Sequence, residues 1–203
     1  GGGAASDGFG TVTFGAGASI GGNDIAIAVG EAVVLGQIDA AGNLAVDTTG
    51  DNIDDTMSRS ITVAGMSRFT TNNGGIDADI LLNNMRGAVG AHTLGGDIEA
   101  TGATVAIENA AASTVAVTAS MNATFGSDDA VTVGGVVGGD LTATGTDVSF
   151  GTPALGLDVT GDTTATASTG DITDQAAPAV NLGGAQTLTA TQGSITQNRA
   201  VTA

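Results

Sequence analysis

Short apolar runs that alternate with polar residues recur along the chain, and Gly, Asn and Asp separate them. Asp24-Ile25-Ala26-Ile27-Ala28-Val29, Ala32-Val33-Val34-Leu35 and Asn43-Leu44-Ala45-Val46 come first. Ser60-Ile61-Thr62-Val63 and Arg68-Phe69-Thr70 follow, then Ser113 to Ser120, Ala123-Thr124-Phe125 and Ala130-Val131-Thr132-Val133. A period of two puts alternate side chains on opposite faces of a strand, so each run predicts a short strand with one face buried. In Leu141-Thr142-Ala143-Thr144, Leu and Ala share one face and the two Thr share the other. Gly, Asn and Asp between the runs supply the permissive backbone of tight turns. No segment sustains a helical period with caps, so very little helix is expected. Ile76 to Met85 reads as a strand, although ten residues cannot separate strand from short helix by period. Thr48 to Arg59, acidic at Asp51, Asp54 and Asp55 and next to Asp47, reads as a protruding loop. Residues 1–22 form a Gly-rich lead-in or arm whose one strand is Thr11-Val12-Thr13-Phe14, and 23–203 form a single domain.

One phrase recurs. Gly139-Asp140-Leu141-Thr142-Ala143-Thr144 leads into Asp147-Val148-Ser149-Phe150. Gly161-Asp162-Thr163-Thr164-Ala165-Thr166 leads into Gly170-Asp171-Ile172-Thr173, and Gln186-Thr187-Leu188-Thr189-Ala190-Thr191 into Gly193-Ser194-Ile195-Thr196. Matching pieces lie roughly 22 to 25 residues apart, a spacing typical of stacked repeats. Gly95 to Ile107 aligns without a gap on Gly138 to Phe150, 43 residues later, and reads as two coils of the same period. Parallel strands stacked ~4.8 Å apart drift toward such self-similarity, whereas a sandwich gives no reason for it. The expected fold is therefore all-β: a parallel β-helix, or β-solenoid, of about 20–25 residues per coil and about nine coils. An antiparallel β-sandwich is the alternative.

Composition sharpens this picture. With five Phe, no Trp and no Tyr, the interior has to be built from Ile, Val, Leu, Ala and Phe. Side chains of that size suit a narrow gap between stacked strands better than a sandwich interior of about 10 Å. A net charge of -17, with four Arg and no Lys, argues against a nucleic-acid partner, because phosphate binding needs clustered basic residues. Anionic membrane surfaces are disfavoured for the same reason, and no apolar run is long enough for a membrane-spanning helix. The first residues lack the basic and apolar regions of a signal peptide and look like a mature or internal segment. Absence of Cys fits a surface protein stabilised by repetition instead of disulfides.

The phrases Gly139 to Thr144, Thr169-Gly170-Asp171-Ile172-Thr173-Asp174-Gln175 and Gln192-Gly193-Ser194-Ile195-Thr196-Gln197 resemble the repeat regions of filamentous-haemagglutinin-like surface proteins. The resemblance covers about 95–203 well and 23–94 in style, and includes no match to that family's amino-terminal secretion domain. It implies a right-handed parallel β-helix, secreted through a partner pore and used as an adhesin shaft or in matrix building.

Candidate chemistry is sparse. Ile20-Gly21-Gly22-Asn23-Asp24-Ile25 is a fragment of a calcium-binding nonapeptide with no second copy, and reads as a turn before a strand. Asp51, Asp54 and Asp55 offer hard oxygen ligands, but their spacing is not that of a calcium loop, so a solvated acidic loop is expected. Asp77 with Asp79 and Asp128 with Asp129 read the same way. His92 is the one imidazole, without a partner for zinc, and reads as a turn or surface residue. Asn122-Ala123-Thr124 is a formal glycosylation sequon. Catalytic groups are not discernible, so no enzyme activity, cofactor or metal is expected. The expected role is structural: a segment of an extracellular or cell-surface fibre, adhesin or matrix filament that associates with copies of itself and meets a glycan or protein receptor. The alternative is a sandwich-type binding or strand-donating filament subunit, calcium-dependent in one version.

Overall fold

Alternating runs of this kind form strands of two to seven residues. A computed structural model describes residues 12–13, 19–55, 60–71, 78–83, 92–176 and 178–198. It is a right-handed parallel β-solenoid, with no helix among the described residues. Every strand pairing among the described residues is parallel, which rules out the antiparallel sandwich.

Among the described residues three sheets run along the axis. Sheet 1 stacks nine strands from Val12–Thr13 to Gln186–Ala190, sheet 2 stacks four from Ser19–Gly22 to Thr93–Leu94, and sheet 3 holds eleven from Ile25–Val29 to Ile195–Thr196. Inward positions coincide from turn to turn. Val33, Ile53, Ile80, Val105, Ala123 and Leu141 form one column of sheet 1, each almost inaccessible to solvent. Large side chains are set beside small ones: Phe125 lies between Ile107 and Ala143, and Phe69 between Val46 and Ala100. Full burial of such a side chain contributes roughly 1.5–3 kcal/mol, so this column of apolar contacts dominates stability.

The cross-section changes along the axis. Up to Leu94 the chain visits all three sheets in each turn. Sheet 2 then ends, and the next turns alternate between sheets 1 and 3 alone. They shorten to 18 residues, as from Asn122 to Asp140. The seven-residue strand Val131–Val137 pairs over its first half with Val148–Phe150 and over its second with Leu157–Val159. A bend at residues 151–156 separates those two, so the later turns lengthen to 22–24 residues. Turns of 27 residues also occur, as from Asn52 to Asp79, and the 18-residue turns offset them, so the nine strands of sheet 1 fit the expected spacing.

Several readings need correction. Ile53–Asp55 is a strand of sheet 1 and not part of a protruding loop, because Ile53 and Asp55 point inward. The 43-residue match is not two coils. Its first copy places Ile98–Gly102 on sheet 3 and Val105–Asn109 on sheet 1, whereas the second places Leu141–Gly145 on sheet 1 and Val148–Phe150 on sheet 3. The phrase encodes a strand, a tight corner and a strand, and the chain uses it at different corners. The Gln186 copy also registers two residues away from the sequence match, with Gln186 beside Thr163 and Leu188 beside Ala165. A slip of two keeps the same residues inward, so alternation cannot detect it. Ile80–Leu82 is a strand, as expected, while residues 76–77 and 84–85 lie outside the described residues. So does most of 1–18, although Ser19–Gly22 pairs with Gln37–Ala40 in sheet 2.

Candidate functional site

Polar side chains concentrate at the corners that lead into sheets 1 and 3, where Asp or Asn directly precedes a strand. Its side-chain oxygen accepts a hydrogen bond from the backbone N–H of the equivalent residue one turn later. On the way into sheet 1, Asn52 accepts from Asp79 and Asp79 from Thr104, each at 2.9 Å. After a break, Asn122 accepts from Asp140, Asp140 from Asp162 and Asp162 from Ala185, each at 2.8 Å. Towards sheet 3, Asp24 accepts from Asn43 and Asn43 from Met66, then Asp147 from Asp171 and Asp171 from Ser194. Glycine makes the approach possible. A Cβ at Gly161 would collide with Asp140 Oδ1 and the Gly139 backbone, and Gly184 stands in the same relation to Asp162. The Gly-Asp phrase is thus a stacking unit: Gly admits the carboxylate of the turn before, and the next N–H binds it.

Two buried polar devices lie where the three-sheet region ends. The His92 ring is fully buried: its Nδ1 accepts from the Ile61 N–H at 3.0 Å, and Nε2 lies 2.9 Å from Asp55 Oδ2. Because Nδ1 accepts, Nε2 carries the proton and donates to Asp55. His92 therefore joins the end of a sheet 1 strand to sheet 2, which corrects its reading as a turn or surface residue. Asn109 closes the last strand of sheet 2. Its Oδ1 accepts from the Leu94 N–H at 2.9 Å, and its Nδ2 donates to the Leu94 carbonyl at 3.0 Å. One side-chain amide thus replaces the backbone of a missing strand. The Asn109 amide also reaches Ser113 Oγ and the Ala111 carbonyl, and Ser127 Oγ donates to the same carbonyl.

The acidic residues of interest do not converge on a metal site. Asp55 turns inward to His92, Asp79 serves the corner column, and the Asp51 carboxylate accepts from the Asn52 N–H. Burial, aided by Asp55, Asp79 and Asp51, pushes the Asp54 carboxyl above its ordinary value. Asp129 binds the Ala130 N–H within its own turn, and the Asn122 side chain of the sequon is engaged in its column. Asp77 lies outside the described residues. Among the described residues no group of three His, Asp or Glu side chains is placed to hold a metal ion, and no helix is long and apolar enough to cross a membrane. A shallow groove at the corner between sheets 3 and 1 is lined by Thr71, Thr101, Gly102, Thr118, Ala119 and Val136, none of them ionisable.

Sequence reasoning took the Asp and Asn residues for turn formers and missed their role between turns. The available signal was an Asp or Asn immediately before a strand, recurring one turn later. No family model, curated protein or solved structure matches this chain.

Proposed function

We infer that the chain is a shaft: a non-enzymatic β-solenoid segment of an extracellular or cell-surface fibre, adhesin or matrix filament. The observation that carries this reading is how its polar side chains are used. The corner Asp and Asn residues, His92 and Asn109 all bind the backbone of another turn, so they hold a rod together. A net charge of -17 on such a rod favours solubility and opposes lateral clumping.

Self-association through the ends belongs to the same reading. The end turn of a solenoid presents unpaired strand edges, which a second copy can cover. The test is cryo electron microscopy of the purified protein at near-physiological salt. Filaments with a ~4.8 Å layer repeat along the axis support the shaft reading. Dispersed single particles at every concentration overturn self-association.

A further inference from the structure

The outward face of sheet 1 carries a lattice of threonines. Thr124, Thr142, Thr164 and Thr187 stand in register as one rank. Thr144, Thr166 and Thr189 form a second. All seven are partly or fully exposed, while Leu141, Ala143, Thr163 and Ala165 between them face the interior. Neighbouring strands lie ~4.8 Å apart and alternate residues of one strand roughly 6.7 Å apart, so the hydroxyls and methyls repeat on a nearly rectangular grid.

Solubility alone does not account for this pattern. Although Thr114, Thr132, Ser149, Thr173 and Thr196 also stand in register on sheet 3, some outward positions elsewhere carry charge: Asp47, Arg68, Glu99 and Asp158 on sheet 3, Asp39 on sheet 2, and Asp54 and Glu108 on the earlier strands of sheet 1. From Thr124 to Thr189 the same face holds none, in a chain with 21 acidic residues. Nor do these hydroxyls bond to one another as Ser149 Oγ and Thr173 Oγ1 do on sheet 3, at 3.0 Å. They are left to water.

A periodic face suits a periodic solid, and its chemistry selects among three kinds. A mineral surface needs charged ligands, which this face lacks. Crystalline polysaccharide is gripped by aromatic rings stacking on sugars, and the chain has no Trp or Tyr. Ice needs neither, only hydroxyls and methyls that hold water at lattice-like spacing. We propose that this threonine face of sheet 1 binds ice, through water ordered between its two ranks.

The experiment uses the whole chain. Wild-type protein, the double variant Thr164→Lys with Thr166→Lys, and Thr118→Lys on the exposed face of sheet 3 are compared. Partition into slowly growing ice and inhibition of ice recrystallisation are measured, with circular dichroism confirming that each variant folds. The wild type and Thr118→Lys should enter the ice and suppress recrystallisation, and the double variant should lose both activities. Exclusion of folded wild type from ice overturns the proposal. So does equal loss in Thr118→Lys, or capture of the wild type by crystalline cellulose or chitin in place of ice. This inference is independent of self-association, because a monomeric rod presents the same face.

Discussion

The turns before Leu94 and those after Leu141 solve the same stacking problem differently. Later turns are nearly alike, spaced by 22–24 residues, and tied by two corner columns in which Asp follows Asp. Earlier turns are unequal, with 19, 23 and 27 residues between successive corner residues, and they include a third sheet. Where turns match, one residue type repeated at one corner suffices, because each carboxylate meets the same N–H. Where they do not, unique side chains supply the missing partners: His92 an acceptor for Ile61, and Asn109 the partner for Leu94. Sequence repetition is thus a result of uniform turns and not a requirement of the solenoid.

Removing a unique connector should therefore do more damage than removing one rung of a repeated column. His92→Leu has the largest expected effect, about 3–5 kcal/mol, since it strips a buried carboxyl of its imidazole and a buried N–H of its acceptor. Chemical denaturation measures that loss, and a change below ~1 kcal/mol would contradict the assignment. Asn109→Leu comes next. It keeps the volume but leaves the Leu94 N–H and carbonyl without the amide, at about 1–3 kcal/mol for each. Hydrogen exchange should show faster exchange at Leu94 and in sheet 2, with protection retained from Leu141 to Ala190. Asp162→Ala removes one exposed rung and should cost about 1 kcal/mol. The smallest effect has the opposite sign. Ionisation of Asp54 is disfavoured in the folded chain, so Asp54→Asn should stabilise by less than ~1 kcal/mol at neutral pH. That gain should fade as pH falls through the raised value, because the wild-type carboxyl is then protonated in the folded state. A gain that persists in acid would show that Asp54 acts other than through its charge.

The same contrast explains what could be read in advance. Alternation placed the strands, since a period of two follows directly from strand geometry. The match of Gly170-Asp171-Ile172-Thr173 to Gly193-Ser194-Ile195-Thr196 gave the correct partner, Ile172 beside Ile195. Gly95 to Ile107 misled because a corner phrase specifies local shape, while the face it occupies depends on every turn before it. His92 reaches a residue 31 positions away and Asn109 one 15 away, across turns of unequal length that no period predicts. The strand Gln37–Ala40 went unread because its apolar pattern covers only Ile38 and Ala40.

Deleting turns tests the central claim most directly. Removing residues 163–185 joins Asp162 to Gln186 and takes out one 23-residue turn, leaving each remaining strand with a partner in register. Removing residues 163–174 takes out about half a turn and sends the following strands to the wrong sheets. Thermal unfolding followed by far-ultraviolet circular dichroism compares the two. The account predicts a cooperatively folded, slightly less stable solenoid from the whole-turn deletion and an unfolded or aggregated product from the half-turn deletion. Equal tolerance of both would contradict it.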